Sequence, residues 1–414
     1  MLLFEQNRRW QLALVLMATF FAGYLDRYNI TFALPLMAQE FGWSESETQD
    51  YGSLLMGAFF AAYGLANLLL TPVASRFGAR RSLVIMVCLW TVFTAMGAWV
   101  SQWMILLVIT RVMLGISEGV HVPMMTQLTK VWFPLEERAR ANSIFVAGLF
   151  LAVFVAPLVL VPLMGWVGWR WGFVLVAFAG LLLSLPLVLL FVHNTPRQHP
   201  LITPVELEHI EAGRAREEQQ ENAGLTWREL VAMPRFVLLV IIGIINNVVT
   251  LGVSSWLPTY FTNNRGLAFS EITFYVATPY VFSIAGIACW AFLGDRINAR
   301  SALGACGFAG AAVLMFFALS ADALWVVLLC FSAGVFMAAA YNACEFAMVQ
   351  KIVPVERTAQ AVGIYNGLAT MIGGGLGPLI VSPIIGAQGP FWLISVIAGV
   401  NAILLFVAWR LIRY

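Results

Sequence analysis

Long apolar runs separated by short polar ones dominate the chain. About 20 apolar residues suffice to cross a bilayer as a helix, and twelve stretches of that kind lie near 11–37, 52–74, 82–101, 103–131, 142–163, 171–193, 236–262, 271–293, 302–320, 323–350, 358–386 and 390–412. Barrel strands alternate polar and apolar positions over about ten residues, a pattern these runs do not follow. The pattern predicts an all-α membrane protein with twelve transmembrane helices. No short apolar core followed by a small-x-small site precedes position 26, so the first stretch reads as a retained helix rather than a cleaved leader.

The longest polar segment divides the spans six and six. It gives an N-terminal half at 1–193, a cytoplasmic linker at 194–235 and a C-terminal half at 236–414. Within the linker, Thr203, Pro204 and Glu206 form a capping-box arrangement with proline at the first helical position, which predicts a short amphipathic helix through about Arg216. The halves repeat each other at an offset of 220: SRFGARRSL (75–83) matches DRINARSAL (295–303), and FPLEERARA (133–141) matches VPVERTAQA (353–361). Two pseudo-symmetric six-helix halves suit a carrier that rocks one half against the other around a midplane site.

Composition agrees: 61% of residues are hydrophobic and 11% charged, against roughly 25% charged in a soluble domain. Lys and Arg collect in alternate connections, among them Arg80, Arg81, Arg138, Arg197, Arg296 and Lys351, which places both termini in the cytoplasm. Trp43, Trp103, Trp166, Trp169, Trp171, Trp325 and Trp392 lie at the opposite ends as aromatic anchors. The net charge of +2 follows from this bias and gives no reason to expect a nucleic-acid partner. The five cysteines fall inside spans at spacings that suit neither a disulfide framework nor zinc. No Walker loop is present, so neither ATP nor another cofactor is expected, and no metal.

Against this apolar background the charges inside spans stand out. Asp26 and Arg27 are adjacent on the first span and point about 100° apart, so one faces the cavity and the other a neighbouring helix. Arg111 and Glu118 are seven apart on the fourth span and share a face, with Gly115 and Gly119 nearby permitting close approach. A charge at midplane costs at least about 2.5–3.5 kcal/mol and needs a partner or a wet cavity. One reading is a pair of ion pairs that lock helices. The other has guanidinium forks receiving an anion while the acids carry protons. His121 is a helix-packing histidine or a relay member; Glu345 is either a second proton site or the partner of a cytoplasmic arginine, and with no matched charge in span seven or eleven the arginine is expected. The C-terminal spans offer neutral polar groups instead of basic ones, including Asn246, Asn247, Ser254, Ser255 and Asn366, suited to substrate hydroxyls.

The loops TPVASRFGARR and FLGDRINAR, with the six-plus-six repeat, resemble the major facilitator superfamily and its G-x-x-x-D-R-x-G-x-R-[KR] pattern. Ser75 stands at the acidic position, while its repeat partner is Asp295. A closer resemblance is to the anion:cation symporter family of sugar-acid and organic-anion transporters, carried by GYLDRYNITFALP (23–35), RVMLGISEGVHVP (111–123), WFPLEERARA (132–141), GWVGWRWGF (165–173) and YNGLATMIGGGLGP (365–378). That resemblance implies a monomeric, proton-coupled symporter of the bacterial inner membrane rather than an enzyme. Tyr24, Arg27, Tyr63, Arg111 and Asn366 would contact the anion, and Asp26 and Glu118 would take up protons, the coupling ion. Asn67 stands where sugar-acid carriers have Gln. An exchanger or effluxer of another carboxylate, a sulfonate or an aromatic acid, and a non-transporting sensor on the same fold, remain the alternatives.

Overall fold

The computed structural model describes residues 7–218, 227–297, 299–353, 358–385 and 392–412, and among them every regular element is helical. In the N-terminal half these are α1 (Arg8–Phe41), α2 (Glu45–Leu69), α3 (Ala79–Val100), α4 (Met104–Glu118), α5 (His121–Trp132) and α6 (Leu135–Phe191). The long α6 bends at Gly168, whose φ of 79° lies in the region that glycine tolerates, and so forms two antiparallel arms. Helix α7 (Pro204–Glu218) leads toward α8 (Pro234–Thr259), α9 (Ile272–Ile297), α10 (Arg300–Ser320) and α11 (Leu324–Ile352). The chain then continues through α12 (Thr358–Leu368), a π-helical turn (Ala369–Gly374), α13 (Gly375–Ile385) and α14 (Trp392–Ile412). Among the described residues, ten helical stretches are long and apolar enough to cross a bilayer. The bend in Ile144–Phe191 makes one of them two, and α1 completes twelve.

Three local departures from the sequence reading have simple causes. Helix α2 begins at Glu45, well before position 52, because Ser44 and Glu47 form a complete capping box that extends the helix past the apolar stretch. The fourth span is broken after Glu118. Pro123 has no N–H to offer the Gly119 carbonyl, and the chain turns at Gly119 and Val120 before α5 starts at His121. Trp169 is buried rather than anchored in an interface: its indole N–H donates to Glu40 at 2.7 Å, and Arg170 pairs with the same carboxylate.

Within the N-terminal half α1 packs along α6, α2 on α4 and α3 on α6; in the C-terminal half α11 packs on α9 and α10, and α10 on α14. The halves meet along two seams, α2 on α12–α13 and α6 on α9, with α1 also against α8. At the end opposite the termini, one apolar core draws on both halves, from Leu34 and Met56 to Trp256 and Ile384. At the terminal end there are two cores. One takes its buried residues from the N-terminal half alone, including Leu16, Trp90 and Trp132, and the other from the C-terminal half, including Phe236, Tyr341 and Tyr365. The molecule is therefore closed at one end and divided at the other.

Helix α7 is tied to the N-terminal half. The Glu206 carboxylate accepts from the backbone N–H of Arg8 and of Arg9, both at 3.0 Å, and so caps the start of α1. Arg9 in turn pairs with Glu206 and with Glu137. Burial alone would raise the Glu137 carboxyl, but its hydrogen bonds and charge contacts with Arg9 and His209 outweigh that and hold it below the usual carboxylate range.

Candidate substrate and proton site

The four charged residues of the first and fourth spans all come together in the middle of the N-terminal half. Close helix packing brings them there. A Cβ on Gly115 would lie 2.4 Å from the Phe59 carbonyl oxygen, and one on Gly119 2.6 Å from that of Tyr63, so only glycine lets α4 seat this closely on α2. Glu118, the last residue of α4, is thereby aimed across Tyr63 at α1. Asp26, Arg27, Arg111 and Glu118 are each at most 7% exposed.

The adjacent pair on α1 divides as their 100° separation requires. Arg27 turns toward the interface between halves. Its Nη2 and Nε donate to Glu118 Oε2 at 2.9 and 3.3 Å, and its guanidinium lies between the rings of Tyr24 (4.1 Å) and Tyr63 (4.5 Å), with Phe59 at 5.1 Å. Its Nη1 makes no hydrogen bond among the described residues. The side chain borders a small cleft lined also by Tyr28, Thr31, Phe59 and Phe60 from its own half and Ser255 from the other. Asp26 turns inward instead. Its carboxylate accepts from Thr94 on α3 at 2.5 Å and from Asn29 Nδ2 at 3.3 Å.

Arg111 sits behind this layer, under Phe173, with its guanidinium carbon 5.2 Å from that ring. Its Nη1 donates to Asn29 Oδ1 at 3.4 Å, so Asn29 bridges Asp26 to Arg111. Arg111 Nε and Nη2 and Glu118 Oε1 are buried without a partner among the described residues. Unsatisfied groups of this kind cost about 1–3 kcal/mol each unless something else meets them. A water or a ligand oxygen is the natural complement. Two cations and two acids in one enclosed cluster are formally neutral when all are ionised.

The structure brings together six of the seven residues singled out in the sequence: Tyr24, Asp26, Arg27, Tyr63, Arg111 and Glu118. Asn366 lies apart on α12, half-buried, beside Gly367, where α12 meets Leu68 of α2. His121 is buried just past the break and contacts Thr19 at 3.3 Å and the rings of Phe20 and Trp90. Glu345 is corrected: it accepts from the Tyr365 hydroxyl at 3.1 Å and forms no ion pair among the described residues. Missed by sequence reasoning were Asn29, Thr94, Phe59 and Phe173. Asn29 could have been found, being one helical turn from Asp26 on the same face. Thr94 and Phe173 approach only through tertiary packing of α3 and α6.

The profile of the Major Facilitator Superfamily matches residues 16–378 and 269–414. The protein named probable sulfoacetate transporter in Cupriavidus necator is 27% identical over 94% of this chain and 91% of its own. Those named probable galactarate/D-glucarate transporter and probable L-galactonate transporter in Escherichia coli are 25% and 27% identical, over 96% and 92% of this chain and 91% and 84% of their own. Among solved structures, a bacterial homologue of the lysosomal transporter Spinster superposes with a TM-score of 0.78 at 20% identity, covering 96% of each chain. A D-xylose-proton symporter gives 0.77 at 15%, covering 96% of this chain and 97% of its own.

Proposed function

The chain belongs to the Major Facilitator Superfamily, and from that premise we propose that this integral membrane transporter is a proton-coupled symporter of an organic anion, a monocarboxylate such as a sugar acid, working by alternating access. The observation that carries the proposal is Arg27, paired with Glu118 through its guanidinium while its side chain borders the cleft between halves. The relatives named for sugar acids and for sulfoacetate support an anionic cargo. The clustering of Lys and Arg at the terminal end supports a cytoplasmic location for both termini, in the inner membrane of a bacterium. The divided end would then open inward.

Coupling follows from charge balance. A substrate carboxylate that takes the Arg27 fork displaces Glu118, whose oxygens are then buried without a cation. Leaving a buried ion unpaired costs about 3–5 kcal/mol, and one proton on Glu118 removes that cost. Anion and proton binding therefore favour each other by linkage. Asp26, held by Thr94 and Asn29 behind Arg111, is the second proton carrier. Arg111, with two unmet N–H groups, completes the anion's surroundings once Glu118 moves. Asn366 is assigned to the far end of the substrate.

The reading is tested by thermal stability of the purified protein against aldonates, uronates, sulfonates, aromatic acids and phosphate esters. A ligand at 100 times its Kd stabilises by about 2.7 kcal/mol. A hydroxylated monocarboxylate is expected to raise Tm, and Arg27→Ala to abolish the rise. A shift with sulfonates alone would replace the carboxylate with the cargo for which the Cupriavidus necator relative is named.

A further inference from the structure

The C-terminal half has no Arg, Lys or His in the interior of its spans, yet Glu345 lies on α11 seven residues before the helix ends, about 10 Å inside it. Its partner is one tyrosine, bonded in turn to a second. The Tyr365 hydroxyl is 3.1 Å from Glu345 Oε2, and the Tyr341 hydroxyl is 2.6 Å from that of Tyr365. Both tyrosines are almost completely buried, at 1% and 2% exposure, in the core of the C-terminal half. The neighbouring helices present no counter-charge to the carboxyl among the described residues. Gly243 of α8 packs against the Tyr365 hydroxyl, Gly294 of α9 against Cys344, and Gly304 of α10 against the Tyr341 ring. The titratable groups around Glu345 are thus Tyr365 from α12, with Tyr341 and Cys344 from its own helix. Arg300, at the head of α10, reaches the Gly294 side without forming an ion pair with Glu345.

We propose that Glu345, with Tyr365 and Tyr341, is a second proton-binding site, built into the C-terminal half and separate from the Asp26–Glu118 cluster. A row of two hydroxyls ending in a carboxyl can be polarised in either direction. With the acid ionised, Tyr341 donates to Tyr365 and Tyr365 donates to Glu345. With the acid protonated, Glu345 donates to Tyr365 and the row reverses, so its hydrogen bonds survive the gain of a proton. An ionised Glu345 is a half-buried charge whose hydrogen-bond partner among the described residues is the Tyr365 hydroxyl, whereas the protonated acid is neutral and keeps that bond with its direction reversed, which is the property of a site that takes and releases a proton without large rearrangement. Tyr365 also gives the site mechanical reach. It immediately precedes Asn366 and Gly367, where α12 bears on Leu68 of α2, and its hydroxyl abuts α8 at Gly243. The site's role in transport rests on the symport reading; its capacity to hold a proton does not.

The experiment is infrared difference spectroscopy of the reconstituted protein during a pH titration, following the C=O stretch of protonated carboxylic acids. In an Asp26→Asn/Glu118→Gln background one buried titrating band should remain, disappear on adding Glu345→Gln, and change its midpoint on adding Tyr365→Phe. The inference is overturned if the double variant shows no buried titrating band, or if Glu345→Gln leaves it unchanged. Should Glu345→Gln fail to fold, Tyr365→Phe decides: an unmoved midpoint overturns the proposal. Proton flux with substrate, measured separately, reports on the symport reading. A titrating Glu345 band with no flux would sink that reading and leave this one standing.

Discussion

Arg27→Ala is expected to abolish anion uptake and to destabilise the N-terminal half by about 3–5 kcal/mol, the cost of leaving the fully buried Glu118 without its cation. The two losses have different origins and can be separated. In Arg27→Ala/Glu118→Ala no charge is stranded, so much of the stability should return while uptake stays absent. A double-mutant cycle on Tm then gives a strongly non-additive coupling between the residues. Arg27→Lys should keep the charge, and with it most of the stability, but lose the planar fork that offers two N–H groups to Glu118. Uptake by Arg27→Lys is expected to fall at least about tenfold, the consequence of losing roughly 1.4 kcal/mol of binding. If Arg27→Ala bound and carried anions normally, the assignment of the anion fork would be wrong.

Gly64→Val carries the second large effect, through the seam between halves. A Cβ at Gly64 would lie 2.5 Å from the backbone nitrogen and Cα of Met371, in the π-helical turn of the other half. Backbone cannot swing aside as a flexible side chain would, so α2 and this turn must separate. Gly57, two turns earlier on α2, meets the Gly375 carbonyl oxygen at the same distance, which confirms that the seam depends on paired small residues along its length. Gly64→Val should therefore leave the N-terminal cluster folded while opening the seam. Transport should be lost, and cysteine cross-linking between α2 and α13 at the Gly57–Gly375 level should drop sharply against wild type. Overpacking of a tight contact typically costs about 1–3 kcal/mol, so the variant should still be isolable. Wild-type uptake in Gly64→Val would show that the halves do not need this seam in any working state.

Much of this architecture was legible in the sequence because lipid imposes simple rules. Span number, the six-plus-six division and the placement of charges inside spans one and four all follow from apolar length and from the cost of buried charge. The divergence of Asp26 and Arg27 to different neighbours followed from helical geometry alone. Pairings between helices were not legible. Nothing along the chain says that Arg27 meets Glu118 while Arg111 reaches Asp26 through Asn29, since that depends on how Gly115 and Gly119 seat α4 on α2. The break at Gly119–Val120 could have been anticipated from Pro123, but the continuous apolar run concealed it. The partner of Glu345 was not legible either, because packing of α11 on α12 supplies the Tyr365 hydroxyl, itself bonded to Tyr341 of α11, where the sequence suggested an arginine.

The central claim is that one anion and a proton move together because the anion displaces Glu118 from Arg27. The most direct test is proton movement into proteoliposomes under a substrate gradient, read with an internal pH dye, for wild type and Asp26→Asn/Glu118→Gln. Wild type should acidify the lumen on addition of the stabilising anion. The double variant should exchange labelled anion across the membrane while acidification and pH-driven accumulation are lost. Undiminished acidification in the double variant, or anion uptake by wild type without any proton movement, would contradict the account.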